Sequence, residues 1–152
     1  MATEVSVEEP RRLALVARVL KDIDKAQSKG LSRGLRRVTT KLEQDALREG
    51  GRRPPRSGGL AARVAAAQMS TVPIHGGLSV RAEGVNNMHQ LAGINAGWVR
   101  HPVFGNPNVW VAQRVTPGWF TDPMEAGRDE VTRAMGGLLD DVAANAARKI
   151  GT

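Results

Sequence analysis

At 152 residues the chain is long enough for one domain with a modest core. Its 3% aromatic content, with no Tyr and two Phe, leaves that core to Leu, Val, Ile, Ala and Met. The absence of Cys excludes disulfides, thiolate metal sites and cysteine nucleophiles, and no apolar run reaches the ~18 residues of a membrane-spanning helix. The net charge of +7 is unevenly placed, a net +6 over residues 1–60, +3 over 61–120 and −2 over 121–152, which suits attraction to nucleic acid or to the opposite end of an identical subunit.

Residues 1–10 read as a flexible N-terminal arm ended by Pro10. Glu4, Glu8 and Glu9, without a long apolar run, set this arm apart from a secretory signal, so the expectation is a soluble protein folded in a reducing cytoplasm. From Arg11 the apolar residues Leu13, Val16, Leu20 and Ile23 recur at helical spacing, and Leu31, Leu35, Val38, Leu42 and Ala46 continue it. The pattern weakens around Gly30, Ser32 and Gly34, leaving two helices or one long helix loosened near Gly30. Lys21, Lys25, Arg36, Arg37 and Lys41 occupy the opposite faces.

Residues 48–59 read as a flexible basic loop. Pro54-Pro55 disfavours helix, while Gly50, Gly51, Gly58 and Gly59 make the backbone costly to order. An Ala-rich helix is predicted from Leu60 to about Met69. Val72–His75 and Leu78–Ala82 read as strands on either side of the Gly76-Gly77 turn. Residues 84–97 are rich in Gly and Asn and take no assigned element. Val109–Val115 alternates as a strand, with Val109, Val111, Gln113 and Val115 on one side, and Pro117-Gly118 ends it. The last element is a helix begun by Asp122 as cap, with Pro123 in its first turn and Glu125 at the capping-box position. Met124, Val131, Met135, Leu138, Val142, Ala146 and Ile150 form its apolar stripe.

No catalytic constellation emerges, and the chain is expected not to be an enzyme and to use no cofactor or metal. His75, His89 and His101 lack a second His or a carboxylate at metal-binding spacing in a helical context. Neither Gly50-Gly51 nor Gly76-Gly77 continues into the Gly-Lys-Ser/Thr sequence that cradles phosphate, and Ser57-Gly58-Gly59 lacks a nucleophile elbow. Asp129-Glu130 and Asp140-Asp141 point in different directions as helix neighbours and read as solvated surface. The basic half supports an alternative function, a DNA-binding module, although it lacks interleaved aromatics on which bases could stack. All five aromatics, Trp98, Phe104, Trp110, Trp119 and Phe120, fall within one short stretch. They form either a local core or an interface, since Trp and Arg favour docking surfaces.

Three short motifs now stand in order: Arg53-Pro54-Pro55-Arg56-Ser57-Gly58-Gly59-Leu60, then Arg100-His101-Pro102-Val103-Phe104-Gly105 with Trp110-Val111-Ala112-Gln113, then Pro117-Gly118-Trp119-Phe120 before a terminal amphipathic helix. Together they resemble the minor tail, tail-completion or head–tail connector (neck) proteins of siphophages, particularly those of actinobacterial phages and prophages. The resemblance implies an α+β fold, with N-terminal helices and a long C-terminal helix packed on a small, mostly antiparallel sheet with long loops. Residues 11–152 would form that single neck domain. It implies a structural virion protein, a tail terminator or completion subunit made in the host cytoplasm. Such proteins form a ring with copies of themselves, usually sixfold, joining the head connector to the tail tube. The partners so implied are the head-completion (stopper) protein, the tail tube protein and DNA passing through the lumen, with no membrane. The interface candidates are Arg52, Arg53, Arg56, Trp98, Arg100, His101, Phe104, Trp110, Trp119 and Phe120.

Overall fold

The computed structural model describes residues 3–8, 25–74, 77–86 and 88–150. Strand β1 (Thr3–Glu8) is followed by helix α1 (Lys25–Arg52), a 3-10 turn (Ser57–Gly59) and helix α2 (Leu60–Ala65). Strands β2 (Gln68–Ile74) and β3 (Gly77–Glu83), helix α3 (Leu91–Ala96), strands β4 (Trp98–Val103) and β5 (Asn106–Arg114) and helix α4 (Thr121–Ile150) complete the order. The fold is α+β, but its strands divide between two antiparallel sheets, one ordered β1-β3-β2 and the other a two-stranded β4-β5 ribbon. The helix expected over Arg11–Ile23 lies outside the described residues, as does Gly76 of the expected Gly76-Gly77 turn, whereas Gly77 opens β3.

The expected N-terminal arm is corrected: residues 3–8 pair with β3 in the register Val5↔Val80 and Val7↔Leu78. The alternation Thr3-Glu4-Val5-Ser6-Val7-Glu8 has the period of a strand, and its acids hid that signal. The Ala-rich helix is shorter than expected, ending at Ala65, because Gln68 and Met69 pair with Glu83 and Ala82 at the start of β2.

Helix α1 runs unbroken through Gly30 and Gly34, because Gly34 is a notch for a side chain. A Cβ on Gly34 would collide with the Leu138 methyls of α4, and a Cβ on Gly127 of α4 would collide with Leu42 of α1. Lys41 reaches Glu130 at 2.8 Å and Arg53 reaches Asp122, so residue numbers rise on one helix as they fall on the other. The two long helices are therefore antiparallel, with leucines of each seated in glycine notches of its partner. Removing Cβ lets the backbones approach, and the gain in packing offsets the roughly 1 kcal/mol that glycine costs a helix relative to alanine.

The flexible basic loop at 48–59 is also corrected. Residues 48–52 belong to α1, where Arg48 pairs with Asp45 and Arg52 with Glu49. Gly50 lies against Val64 and Trp119, and Pro54 is buried. Ion pairing and packing fix a segment whose composition alone suggests disorder. The helix stops at Pro54-Pro55, and Gly58 and Gly59 turn the chain with φ of 67° and 72°.

Below these helices the core gathers Leu42, Ala46, Val64, Leu78, Val80, Ala82, Met88, Leu91, Ile94, Trp119, Phe120 and Met124. Trp119 and Phe120 are completely buried and meet edge to face, ring centroids 5.5 Å apart. Trp119 Nε1 donates to the Leu91 carbonyl at 3.2 Å, satisfying the indole. The cap expected from Asp122 comes instead from Asn95, whose Oδ1 accepts from the amides of Phe120 (3.0 Å) and Thr121 (3.1 Å). Asp122 turns to Arg53.

Candidate interaction surface

The β4–β5 ribbon is built from its foot upward. Gly97, at φ 100°, ends α3 and starts β4, and the Val115 amide donates back to the Gly97 carbonyl at 3.0 Å. A Cβ on Gly93 would sit 3.0 Å from the Trp98 indole, so glycine lets that ring lie across α3. Along the outer edge of β4, Gln90 takes the place of a neighbouring strand. Its Oε1 accepts from the Arg100 amide at 2.6 Å and its Nε2 donates to the Arg100 carbonyl at 2.8 Å. Among the described residues no strand pairs with the far edge of β5, and all nine residues of β5 are exposed.

At the tip, Val103 pairs with Asn106 around a two-residue turn, Phe104-Gly105, with φ of 48° and 74°. Positive φ at both central positions is the type I′ geometry, which matches the twist of the strands and favours Asn-Gly. A phenylalanine in the left-handed region costs on the order of 1 kcal/mol. Phe104 is nonetheless fully exposed, at 103%. It gains nothing from its own chain there.

The register Trp98↔Arg114, Arg100↔Ala112 and Pro102↔Trp110 puts Trp98, Arg100, Trp110 and Arg114 on one face. Trp98 and Trp110 remain 42% and 48% exposed, and Val109 and Val111 are exposed on the opposite face. Between the ribbon and the 3-10 turn runs an open groove of about 620 Å³, bordered by Arg63, Met88, His89, Arg100, His101 and Trp110 and, among the described residues, by no carboxylate. The apolar and cationic groups of the ribbon thus share one surface.

Of the residues singled out in the sequence, the ribbon brings together Trp98, Arg100, His101, Phe104 and Trp110. Arg56 is exposed at the nearby turn, and Arg52 is exposed while paired with Glu49. Three are corrected. Trp119 and Phe120 are core residues, because the turn at Gly118 aims both rings inward. Arg53 is a structural latch: its Nε meets Glu49 at 2.7 Å, and its Nη1 meets Asp122 and donates to the Pro117 carbonyl at 2.8 Å. Asp122 and Glu49 raise its pKa, and Arg53 and then Arg52 lower that of Glu49. Val109, Val111, Arg114 and Gln90 were missed as parts of the surface. Val109–Val115 reads as a strand in the sequence, but its partner Trp98–Val103 shows no apolar–polar alternation, so the pairing that makes the surface left little signal.

No protein family, curated protein or solved structure compared with the chain matches it. Among the described residues no group of three or more His, Cys, Asp or Glu is placed to hold a metal ion. Among the same residues no helix is long and apolar enough to cross a membrane. The ribbon is the surface on which a functional reading rests.

Proposed function

We propose that this chain is a structural subunit of a bacteriophage neck, a tail-completion or tail-terminator protein that forms a ring with its own copies between head connector and tail tube. The observation that carries the reading is the ribbon: a nine-residue strand exposed throughout, with two half-exposed tryptophans and a phenylalanine at its tip. An isolated two-stranded ribbon is marginal in water, and exposed apolar surface of this kind marks a docking site. The partner in this reading is a neighbouring subunit. The resemblance of the motifs around Arg53, Arg100 and Trp119 supplies the phage setting.

The test is electron microscopy of particles assembled with and without the chain. Filled heads and separate, unjoined tails are expected in its absence, with normal particles restored by supplying it. Fully infectious virions lacking the chain, or substrate turnover by a lone copy, would overturn the proposal.

A second reading, a basic DNA-binding module, is favoured by Lys29, Arg33, Arg36 and Arg37, all exposed on the first half of α1. It requires the lone subunit to bind duplex DNA with an affinity that falls steeply with salt, because phosphate contacts release counterions. Titrating labelled duplex at two salt concentrations separates the readings.

A further inference from the structure

The ribbon and the distal part of α4 carry complementary surfaces on separate elements of the chain. No Asp or Glu occurs between Glu83 and Asp122, and the ribbon presents Arg100 and Arg114 beside Trp98 and Trp110, neither arginine forming an ion pair with a described residue. On α4, Asp122 is taken by Arg53 and Glu130 by Lys41. Asp140 and Asp141 are exposed and form no ion pair with the described residues. Gly137 and Ala144, one turn to either side, are exposed as well, and a Cβ on Gly137 would meet nothing within 4 Å. Two carboxylates thus stand on a stretch of helix whose small neighbours leave room for bulky rings.

Among the described residues of one chain, no ion pair joins these two surfaces. Arg114 is at the foot of the ribbon, close in sequence to the start of α4. A rise of ~1.5 Å per residue puts Asp140 roughly 27 Å along the helix from Asp122. We infer that the ribbon face bearing Trp98, Arg100, Trp110 and Arg114 docks on Gly137, Asp140, Asp141 and Ala144 of a second copy of this chain. The contact joins two different patches, so it is heterologous and propagates head to tail until it closes. It rests on the ring proposed above and names the surfaces that would build it.

The test uses two full-length variants with opposite charge reversals, Arg100→Glu with Arg114→Glu and Asp140→Lys with Asp141→Lys. All four positions are exposed, and unchanged circular dichroism and melting show that each variant folds. Sedimentation velocity over a concentration series is expected to show wild-type assembly, and self-association weaker by about tenfold or more in either variant alone. An equimolar mixture should assemble again, because the acidic ribbon of one variant meets the basic helix of the other. Assembly of either variant alone at wild-type strength, a mixture that stays monomeric, or a wild-type chain that never self-associates overturns the inference. The neck assignment is decided separately, on particles.

Discussion

Leu42 of α1 occupies the notch that Gly127 leaves in α4, and Leu138 of α4 occupies the one left by Gly34, so each long helix keys into the other. Leu42 is buried and has little room to move aside. Gly127→Leu is therefore expected to overpack the contact and destabilise the fold by about 1–3 kcal/mol. Gly137→Ala, in open space on the same helix, is expected to stabilise it by roughly 1 kcal/mol. Urea denaturation of the two variants should move the midpoint in opposite directions. Equal effects would mean that the notch is not the source of the glycine requirement.

The five aromatics divide into two classes that melting can tell apart. Trp119→Ala or Phe120→Ala empties a completely buried site and is expected to cost about 3–5 kcal/mol. Trp110→Ala removes a half-exposed ring and is expected to change subunit stability by less than about 0.5 kcal/mol while weakening assembly. A large loss of subunit stability from Trp110→Ala would place that ring in the core.

Asn95 holds the entry to α4 from outside the helix, accepting from two consecutive amides. Asn95→Ala leaves both without that acceptor and is expected to destabilise by about 1–2 kcal/mol. Asn95→Asp keeps an acceptor and adds a negative charge near the helix N-terminus, so it is expected to retain most of the stability. Thermal unfolding of the pair reads out the difference, and equal losses would argue against a capping role.

What the sequence revealed and what it hid follows from where the information lies. Periodicity showed the terminal helix, its buried Met124, Val131 and Met135, and the β2–β3 hairpin, because spacing reports burial on one face. It misjudged Gly34, since a glycine that breaks a helix and one that admits Leu138 look alike until the partner helix is known. The loop at 48–59 failed for the same reason, because Asp45, Asp122 and Trp119 that help fix it lie outside it. The aromatic cluster was legible as a cluster, but its division into core and surface depends on the turn at Gly118.

Acid should expose the Glu49 contribution. Hydrogen bonds from Arg53 and then Arg52 hold its folded pKa below the ordinary value of 4.5. The stability it adds is thus fully present above 4.5 and is lost as pH falls through the lower folded value. The carboxylate is partly solvated, so the effect is expected to stay below about 1 kcal/mol. Glu49→Gln should lower stability at neutral pH and flatten the acid limb of the urea midpoint against pH. An unchanged acid limb in that variant would show that other carboxylates dominate.

Phe104 offers the sharpest separation between folding and assembly. Its left-handed backbone strains a large side chain that stands in solvent, whereas asparagine adopts that conformation readily and suits the first central position of a type I′ turn. Phe104→Asn is therefore expected to raise subunit stability by up to about 1 kcal/mol, measured by chemical denaturation. If the ring is held for a neighbour, the same substitution should weaken self-association in sedimentation and reduce tail joining. A residue retained only for the turn would give better folding with no loss of assembly, and that result would remove Phe104 from the docking surface.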